Sequence, residues 1–337
     1  MGLDCGSQVV ICDLPIRFDT YKGCSHACKY CFVKRKNDIR DISKDNCIES
    51  LKKFIDGKRT KETNWCDWAI PIHWGGVSDP FQPVEERYKI SYKALELLAE
   101  TKYPFVVSTK GRLIAAPEYV ELLKKCNCVV QISAASSMYD VIEPGAPKFE
   151  ERLKMIRTVA PAVKRVIVRI QPYLVSAHSD VVKNLERFKD AGAYGATVEG
   201  MKFVTKQKGL VKVAGDYCYP EKLLRLRFQE IKTRCNELGL AFFCAENRLR
   251  DMGDEMCCCG IDGLDGFRGN DYNLEHIYNG KSVAPTERMK APKTGACFAA
   301  MFQSASGSRL ARNNSFADMM DEQIGKKVYI SACGKGD

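Results

Sequence analysis

The sequence has neither a long hydrophobic run nor an export signal. No apolar stretch among its 337 residues is long enough to span a membrane. The first residues, Met-Gly-Leu-Asp-Cys, lack the basic and then apolar layout of a signal peptide. With 45% hydrophobic and 28% charged residues, the composition is typical of a soluble globular protein. We therefore expect a cytoplasmic protein with one large α/β domain or two smaller ones.

Positive charge is in excess. Lys and Arg number 52 against 42 for Asp and Glu, which gives a formal net charge of +10. Charges of both signs are interspersed through most of the chain, as on solvated helix faces. One segment near the end is predominantly basic and carries Lys281, Arg288, Lys290, Lys293, Arg309 and Arg312. It is a candidate for contact with a nucleic acid, and a merely basic surface is the alternative.

Three of the 17 cysteines lie within eight residues. Cys24, Cys28 and Cys31 have the spacing C-x₃-C-x₂-C, and this loop supplies no fourth cysteine. Iron–sulfur clusters are held by thiolates and normally take four. A loop with three predicts a cluster in which one iron is open to a ligand that is not protein, and therefore chemistry at the metal. The many free thiols fit a reducing and oxygen-poor, anaerobic interior.

A structural zinc ion is the alternative for this loop, with His26 or a distant cysteine as the fourth ligand. Zinc sites usually present one cysteine pair and a second pair well downstream, which is not the spacing here. His26 lies among its close neighbours in the loop, where it would struggle to complete a tetrahedron. A disulfide framework is disfavoured because such frameworks belong to short secreted chains.

After the cysteine loop, strand-like and helix-like patterns alternate regularly. The predicted strands are runs of apolar and β-branched residues, and the predicted helices carry apolar residues at helical spacing. In chain order they are strand 68–74, helix 83–99, strand 105–107, helix 117–125, strand 129–132, helix 149–159, strand 163–173, helix 180–191, strand 196–198, helix 221–238 and strand 240–243. Together with the extended run 14–21, this alternation predicts an α/β fold with a parallel sheet, as in a partial (β/α)6-type TIM barrel. An open doubly wound sheet is the alternative.

Polar residues and glycines recur at the carboxyl ends of the predicted strands, the end that carries the active site in α/β barrels. They are Gly75, Gly76, Ser108, Thr109, Lys110, Ser133 and Gln171. Residues 246–337 are glycine-rich and irregular, with a short helical piece at 316–324. We predict that residues 1–245 form the barrel and that residues 246–337 form a Cys/Gly-rich extension covering one of its ends.

At this point the sequence resembles the radical S-adenosylmethionine (SAM) superfamily. The resemblance rests on the three cysteines, on Tyr30 before the last of them, and on Gly75-Gly76 after the second strand. It implies that Cys24, Cys28 and Cys31 hold a [4Fe–4S] cluster and that SAM chelates the fourth iron. An electron from an external donor such as flavodoxin or ferredoxin would then cleave SAM to methionine and a 5′-deoxyadenosyl radical, which abstracts a hydrogen atom from the substrate.

Segments 75–85, 108–110 and 142–147, followed by Arg152, are similar to the spore photoproduct lyase-like branch. One departure is Val77, because the residue directly after Gly-Gly is usually acidic. Backbone carbonyls, or Ser78 and Asp79, would have to bind the SAM ammonium. In all, the resemblance implies SAM-binding roles for Tyr30, Gly75, Gly76, Ser78, Asp79, Ser108, Lys110, Ser133, Arg169 and Gln171.

Several of these residues also have a structural alternative. Tyr30 either contacts the adenine or packs against the barrel rim. Lys110 and Arg169 either pair with the SAM carboxylate or belong to structural ion pairs. Glu143 and Arg152 either seat SAM or substrate, or pair with each other. His73 is expected to be a core residue, whereas His178 and His276 receive no role.

A second group of cysteines comprises Cys244 and Cys257-Cys258-Cys259. The alternatives for this group are an auxiliary cluster or zinc site, a hydrogen-atom donor (Cys244 or Cys257), and structural thiols. Three consecutive cysteines do not easily point the same way, which disfavours a four-ligand site.

The branch resemblance implies bond cleavage in a nucleobase-like substrate. Our expectation is a radical SAM lyase that acts on a small free base such as queuine and releases a 7-deazaguanine precursor for queuosine salvage into transfer RNA. One alternative is repair of a thymine photoproduct in DNA, which requires a basic groove and a DNA-inserting element; residues 281–312 are the sequence candidate. Another is a non-catalytic iron–sulfur redox sensor.

Overall fold

The computed structural model describes residues 3–5, 9–35, 43–44, 47–60, 62–63, 65–66, 68–213, 215–280, 302–303, 306–307 and 316–325. The strands in these residues are β1 (Leu3–Cys5), β2 (Ile16–Phe18), β3 (Tyr21–Lys22), β4 (Ser43–Lys44), β5 (Ile72–Trp74), β6 (Phe105–Thr109), β7 (Cys128–Ser133), β8 (Arg165–Tyr173), β9 (Gly195–Gly200), β10 (Lys202–Phe203), β11 (Val211–Val213), β12 (Asp216–Cys218) and β13 (Ala241–Cys244). The helices are α1 (Ile48–Ile55), α2 (Glu85–Tyr88), α3 (Ile90–Thr101), α4 (Pro117–Leu123), α5 (Phe149–Val159), α6 (His178–Asp190), α7 (Glu221–Glu237), α8 (Leu274–Tyr278) and α9 (Phe316–Asp321). None of the described helices is both long and apolar enough to cross a membrane.

Eight strands form one sheet in the order β1-β2-β5-β6-β7-β8-β9-β13. β1 pairs antiparallel with β2, and all other neighbours in this sheet are parallel. From β2 onward the spatial order is the chain order, so every crossover advances in the same direction. A doubly wound sheet requires a reversal of strand order. The fold is therefore the predicted partial α/β barrel rather than the doubly wound alternative.

Alternate residues of the parallel strands face the helices and the barrel interior, since side chains alternate along a strand. The interior has two layers. At the amino half it is apolar and includes Val106, Val129, Ile167 and Phe243. At the carboxyl half it is polar, with the side chains of Arg17, His73, Ser108, Gln131, Arg169, Gln171 and Glu199, which we call the polar layer. The candidate site therefore lies at the carboxyl ends of the strands.

The described part of the C-terminal extension packs against the amino ends of the strands. Arg165, the first residue of β8, donates to the carbonyl oxygens of Gly260 at 2.8 Å and Asp262 at 3.1 Å. Before β5, the indole N–H of Trp68 donates to the carbonyl of Gly269 at 3.2 Å. Cys257, Cys259 and Ile261 enter the apolar layer of the interior. Residues 254–270 thus fill the amino end of the barrel, and we call this segment the plug.

One predicted helix is two helices in the structure. The pattern over residues 83–99 predicts a single helix, but Lys89 has φ 52° and separates α2 from α3. The carboxylate of Glu85 accepts hydrogen bonds from the backbone N–H groups of Ser91 at 2.9 Å and Tyr92 at 2.8 Å. A side chain thereby satisfies first-turn donors of α3 that a helix leaves unpaired, which stabilises the break.

A small antiparallel sheet follows β9 and was not predicted. Its order is β10-β12-β11, and we call residues 202–218 the ribbon. The ribbon begins directly after the carboxyl end of β9, so it stands beside the polar layer. Its strands are two or three residues long, too short to give a clear alternating pattern in the sequence.

Candidate active site

The cysteine loop follows β2 and β3 at the carboxyl end of the sheet. Cys24 and Cys31 are partly exposed and Cys28 is buried. Burial, together with the negative charge of Asp79, raises the pKa of the Cys24 thiol to about 12, although the backbone N–H groups of His26 and Asp79 point at its sulfur and oppose this rise. Burial also raises the pKa of Cys28. Such thiols become thiolates when a positively charged metal centre binds them, and N–H groups aimed at sulfur fit that charge.

Among the described residues, no three His, Cys, Asp or Glu side chains are placed to hold a metal ion. A single zinc ion would require its ligands to converge on one point, whereas a [4Fe–4S] cluster binds each cysteine on a different iron and keeps the sulfurs further apart. His26 is engaged elsewhere, with the carbonyl of Gly145 and the carboxylate of Asp79. The three-cysteine loop therefore fits a cluster better than the zinc alternative.

The cysteine loop is docked on the turn that precedes α5. The N–H of Lys29 donates to the carbonyl of Ile142 at 2.8 Å, and the N–H of Gly145 donates to the carbonyl of His26 at 3.0 Å. The Nδ1 of His26 lies 2.9 Å from the carbonyl oxygen of Gly145. A Cβ atom on Gly145 would lie 2.4 Å from the carbonyl oxygen of Ser25, so only glycine permits this close approach.

The segment after Gly75-Gly76 holds the other side of the loop. Gln82 accepts a hydrogen bond from the N–H of Ser25 at 2.8 Å and donates to the carbonyl of Gly23 at 3.1 Å. The Oδ2 of Asp79 lies 3.2 Å from the Nε2 of His26. Burial alone would raise the pKa of Asp79, but His26 and the hydrogen bonds from Lys110 and Thr109 outweigh it and hold that pKa at about 2. Asp79 is therefore a structural carboxylate at neutral pH.

The buried carboxylate of Glu85 stabilises the segment that follows Gly75-Gly76. Its buried carboxylate accepts hydrogen bonds from the hydroxyls of Tyr21 and Tyr119, the latter at 2.7 Å, in addition to the two N–H groups of α3. Burial and the contact with Glu85 raise the pKa of both tyrosines. Because Tyr21 lies in β3, directly before the cysteine loop, Glu85 ties α3 and α4 to the start of that loop.

Glu143 is the centre of a further cluster. It is 2% exposed, accepts from the hydroxyl of Tyr30, and pairs with Arg152 at 2.5 Å and with Lys110 at 3.9 Å. Arg152 also donates to the carbonyl of Ser133 at 3.0 Å. These contacts favour the structural alternative for Glu143 and Arg152, which pair with each other and brace the cysteine loop instead of facing a ligand.

The polar layer is one continuous hydrogen-bonded network across six neighbouring strands, from β2 to β9. Arg17 donates to the Nδ1 of His73 at 2.5 Å, and the Nε2 of His73 is 3.0 Å from the hydroxyl of Ser108. Ser108 donates to Gln131 at 2.8 Å. Burial and the nearby arginines lower the pKa of His73 well below its ordinary value, so its ring is neutral. It is the core histidine that we expected, but one in a polar network.

The network continues from the guanidinium of Arg169. One of its nitrogens donates to Ser108 at 2.7 Å and to Gln131 at 3.2 Å, and the other donates to Gln171. Gln171 in turn donates to Glu199, on β9. Lys202, at the start of the ribbon, donates to Glu199 at 2.6 Å. The sequence analysis missed Arg17, Gln131 and Glu199, although each is a polar residue within or at the end of an apolar strand.

The predicted SAM-binding residues are not all available to a ligand. Gly75 has φ 86°, and a Cβ there would lie 2.4 Å from the carbonyl oxygen of Ser108. The Ser78 hydroxyl donates to the carbonyl of Tyr21 at 2.7 Å. Asp79 accepts from Phe81, Thr109 and Lys110 and faces His26. The side chains of Ser78 and Asp79 are therefore engaged in holding loops together, and their binding of an ammonium group stays a prediction.

The carboxylate of Asp19 lies beside the backbone of Val77 and Ser78, where the ammonium group of SAM is expected. The Oδ1 of Asp19, just after β2, accepts from the N–H groups of Val77 at 3.1 Å and Ser78 at 3.0 Å. Burial raises the pKa of Asp19 to about 6, against the lowering effect of these hydrogen bonds and of Arg17. No local pattern marks Asp19, because it lies 58 residues before Val77 in the chain.

The second cysteine group is divided between the two hydrophobic clusters, and Cys244 is the last residue of β13. Cys244 belongs to the outer cluster that packs under the helices, whereas Cys257 and Cys259 lie in the apolar layer with the plug. The sulfurs of Cys258 and Cys259 are 4.0 Å apart. Both Cys244 and Cys257 are buried, and this group forms no metal site among the described residues. A hydrogen-donor role for either thiol stays a prediction.

His178 and His276, which receive no role from the sequence, both lie next to carboxylates. His178 contacts the hydroxyl of Tyr173 at 2.9 Å and Glu230 at 2.6 Å, and His276 pairs with Asp13 at 2.9 Å. A cavity of about 330 Å³ beside Asp13 and His276 is at the amino end of the barrel, opposite the cysteine loop. The basic segment from Lys281 to Arg312 is almost entirely outside the described residues.

The sequence profile of the radical SAM superfamily matches residues 19–200, more than half of the chain and the part that contains the cysteine loop and the polar layer. The chain belongs to the radical SAM superfamily. Its cofactors are a [4Fe–4S] cluster and SAM, and it is an enzyme. The three thiols of the loop, with N–H groups directed at Cys24, fit the cluster of this superfamily.

The chain is also similar to curated proteins and, in fold, to solved structures. An uncharacterized protein of Mycobacterium tuberculosis H37Rv is 25% identical over 228 residues, which cover 64% of this chain and 67% of the relative. A spore photoproduct lyase mutant with bound AdoMet and dinucleoside spore photoproduct is similar in fold, with a TM-score of 0.55 and 15% identity over 68% of this chain and 76% of the lyase. A spore photoproduct lyase complexed with dinucleoside spore photoproduct gives a TM-score of 0.53 at 16% identity, with the same coverage.

Proposed function

We propose that this radical SAM enzyme is a lyase that acts on a nucleobase-like substrate. The observation that carries the proposal is the adjacency of the cysteine loop and the polar layer at the carboxyl ends of the strands. When bound, the reduced cluster and SAM supply a 5′-deoxyadenosyl radical that takes a hydrogen atom from the substrate. The chain's own residues hold the loop rigid, orient SAM and exclude water.

Within this proposal, SAM lies along the polar layer. Arg169 and Lys110 offer positive charge for the carboxylate of SAM. Gly75 and Gly76 have no side chains, so SAM can approach the backbone there closely. Gln171 and Ser108 lie beside Arg169 and can hydrogen-bond the ribose or adenine, while Ser133 and Tyr30 border the same mouth. Asp19 replaces Ser78 and Asp79 as the carboxylate for the ammonium.

The first substrate candidate is a small free base of the queuine kind. Glu199 is at the end of the polar layer furthest from the cysteine loop, where its side chain is 13% exposed. A carboxylate accepts the two adjacent N–H donors of a guanine-like edge, which a 7-deazaguanine also presents. A free base carries no phosphate and needs no basic groove, which agrees with an acidic group at this position.

The second candidate is a photoproduct in DNA, and the ribbon is the observation that favours it. The ribbon carries Lys202, Lys206, Lys208 and Lys212 with Asp216 as its single acidic residue, and Val204 and Val211 are exposed on it. Basic groups beside the mouth would contact phosphates, and exposed apolar side chains would contact bases. The likeness in fold to spore photoproduct lyase supports this candidate as well. The ribbon is thus an alternative to residues 281–312 as the DNA-contacting element, and it lies within the described part of the chain.

The primary experiment measures 5′-deoxyadenosine released from SAM by anaerobically reconstituted and reduced protein. We expect release by the wild type and none above background from Cys24→Ala. A redox sensor would instead form its cluster without releasing 5′-deoxyadenosine, and that outcome would overturn the enzymatic proposal.

A second experiment separates the substrates. The protein is incubated with queuine or with DNA that carries spore photoproduct, and product is quantified for the wild type and for a variant with Lys206→Glu, Lys208→Glu and Lys212→Glu. If the free base is the substrate, only queuine is cleaved and the triple variant is unaffected. If DNA is the substrate, the triple variant loses both activity and salt-dependent DNA affinity.

A further inference from the structure

The cavity at the amino end of the barrel is separate from the proposed active site. Its volume of about 330 Å³ lies at the lower end of the range for small-molecule sites, which is about 300–1,000 Å³. The lining comes from three parts of the chain: Asp13 before β2, five residues between Met256 and Asn270, and His276 on α8. The side chain of Ile261 belongs both to this lining and to the apolar layer, which lies between the cavity and the polar layer.

One oxygen of Asp13 has no hydrogen-bond partner within the described part of the chain. Asp13 is 6% exposed, and its Oδ1 accepts from the side-chain amide of Asn273 at 3.1 Å and lies 2.9 Å from the Nε2 of His276. Its Oδ2 is buried and unpaired. Burial alone would raise the pKa of Asp13, but His276, Asn273 and the charge of Arg250 outweigh it and lower that pKa. A buried, charged oxygen without a partner is costly, so an occupant of the cavity that donates to it would bind favourably.

A second carboxylate, that of Asp262, lines the same cavity. Burial raises the pKa of Asp262, and the negative charge of Asp13 raises it further, while a hydrogen bond from the N–H of Cys257 opposes the rise. The two carboxylates therefore lie close enough to repel each other. A cation bound between them would relieve this repulsion.

The positive groups around the cavity do not cancel this charge. Arg250 pairs with Glu275 at 3.8 Å, and Arg165 pairs with Glu255 at 3.7 Å, so each guanidinium has a carboxylate of its own. Among the described residues that line the cavity, the basic one is His276, which carries at most one charge. The cavity is therefore negative when both of its carboxylates are ionised.

The lining suits an organic cation better than a metal ion. In the part of the chain that the structure describes, no three His, Cys, Asp or Glu side chains are placed to hold a metal. Met256 and Ile261 add apolar surface to the cavity, which a hydrated metal ion would not cover. Ammonium groups pair with carboxylates, and the methylene groups between them pack against apolar side chains. Two carboxylates suit a molecule that carries two ammonium groups.

We propose that this cavity binds a small aliphatic diamine, with one ammonium group on the Oδ2 of Asp13 and the other on Asp262. Because Asp13 precedes β2 and Asp262 belongs to the plug, the bound diamine bridges the plug and the barrel. Its binding stabilises the folded protein, since a ligand that binds only the native state shifts the unfolding equilibrium. The proposal does not depend on the radical reaction, because the cavity and the cysteine loop lie at opposite ends of the barrel.

The test is calorimetric titration of the full, anaerobically reconstituted chain at neutral pH with 1,4-diaminobutane, and with 1,4-butanediol as the uncharged control. Thermal unfolding with and without each compound is the second measurement. The variants are Asp13→Asn and Asp262→Asn, with Asp265→Asn as the matched control, because Asp265 is an exposed carboxylate of the same plug. Asp13→Asn can keep an acceptor for Asn273 while it removes the charge and the second acceptor oxygen. The net charge of +10 opposes unspecific binding of a diamine.

We expect 1,4-diaminobutane to bind the wild type and to raise its unfolding temperature, and 1,4-butanediol to do neither. Asp13→Asn and Asp262→Asn should each weaken binding at least about tenfold, as expected when a charge-assisted hydrogen bond is lost. Asp265→Asn should bind like the wild type.

The absence of both a binding heat and a temperature shift with the wild type would overturn the proposal. So would equal binding of the diamine and the diol, an equal loss of affinity in all three variants, or displacement of the diamine by Mg²⁺ or Ca²⁺, which would assign the cavity to a metal ion. If Asp13→Asn does not fold, Asp262→Asn decides, and an unchanged affinity in that variant would overturn the proposal.

Discussion

The Nε2 of His26 lies 3.2 Å from the Oδ2 of Asp79, while the other nitrogen of the same ring lies 2.9 Å from the carbonyl oxygen of Gly145. One imidazole inside the cysteine loop thus connects the segment after β5 to the turn before α5. Each ring nitrogen faces an oxygen atom of a different segment. His26 is therefore a positioning residue for the loop and not a ligand of a metal.

Replacing His26 by Ala should destabilise the fold and weaken cluster retention. The change leaves the carboxylate of Asp79 buried without the imidazole beside it, and the loss of a partner from a buried polar group costs about 1–3 kcal/mol. Anaerobic denaturant unfolding would measure the free energy, and iron content after desalting would measure retention. Asp79→Asn serves as the second arm of a double-mutant cycle: additive effects of the two changes would contradict a direct interaction.

Replacing Glu85 by Gln should lower stability much more than replacing Glu86, its exposed neighbour. Gln can accept at one oxygen only, and its NH₂ group would face hydroxyl and N–H donors in a buried site. We expect a loss of about 2–4 kcal/mol for Glu85→Gln and less than about 0.5 kcal/mol for Glu86→Gln. Denaturant midpoints of the two variants would check this, and similar midpoints would show that the Glu85 hydrogen bonds contribute little.

Replacing Arg169 by Met should weaken SAM binding without loss of the cluster. Arg169 carries a guanidinium at the centre of the polar layer, whereas the cysteine loop is held by other residues. We expect the dissociation constant for SAM to rise by about tenfold or more, since a charge-assisted pair contributes about 1.5–3 kcal/mol. Calorimetric titration and iron analysis would measure the two quantities. Arg187→Met, which removes a surface pair with Glu150, is the control; unchanged SAM affinity with lowered stability would assign Arg169 a structural role only.

Replacing Asp19 by Asn should stabilise the cofactor-free protein at neutral pH and not at acidic pH. The folded pKa of Asp19 is about 6 and its ordinary value is 3.8, because burial disfavours the charge. Its contribution to stability is thus fully present below about pH 4 and is lost as the pH rises through 6. Asn keeps the acceptor for Val77 and Ser78 without the charge, so the gain should reach about 2–3 kcal/mol above pH 7.

Unfolding curves from pH 4 to 8 would measure the difference between wild type and Asp19→Asn. A constant difference across this range would contradict the titration of Asp19. The same variant should bind SAM more weakly at neutral pH if Asp19 faces the ammonium group, and unchanged affinity would leave backbone carbonyls as the acceptors.

The sequence predicted those parts of the structure that follow from periodicity and local chemistry. Helix Phe149–Val159 and the beginning of helix Glu221–Glu237 were placed at their observed residues, because apolar spacing and flanking turns mark both. The cysteine loop was identified from spacing alone. These features depend on residues that are close in the chain.

What the sequence did not predict depends on contacts between distant segments. The double role of His26, the contacts of Asp79 with Thr109 and Lys110, and the approach of Asp19 to Val77 each join residues at least 30 positions apart. The polar layer is predicted in part, because Ser108, Arg169 and Gln171 follow from their positions at strand ends. Arg17 and Glu199 join the layer only through hydrogen bonds to residues of neighbouring strands, which the sequence does not reveal. The short strands of the ribbon carry too few residues for an alternating pattern.

The plug determines the order in which molecules reach the site. Residues 254–270 fill the amino end of the barrel, so the polar layer is approached from the carboxyl end, beside the ribbon. A ligand that lies deep against the polar layer must therefore arrive before one that lies above it, and it departs afterwards. Binding of SAM and substrate should accordingly be ordered rather than random, with 5′-deoxyadenosine retained until the modified substrate has left.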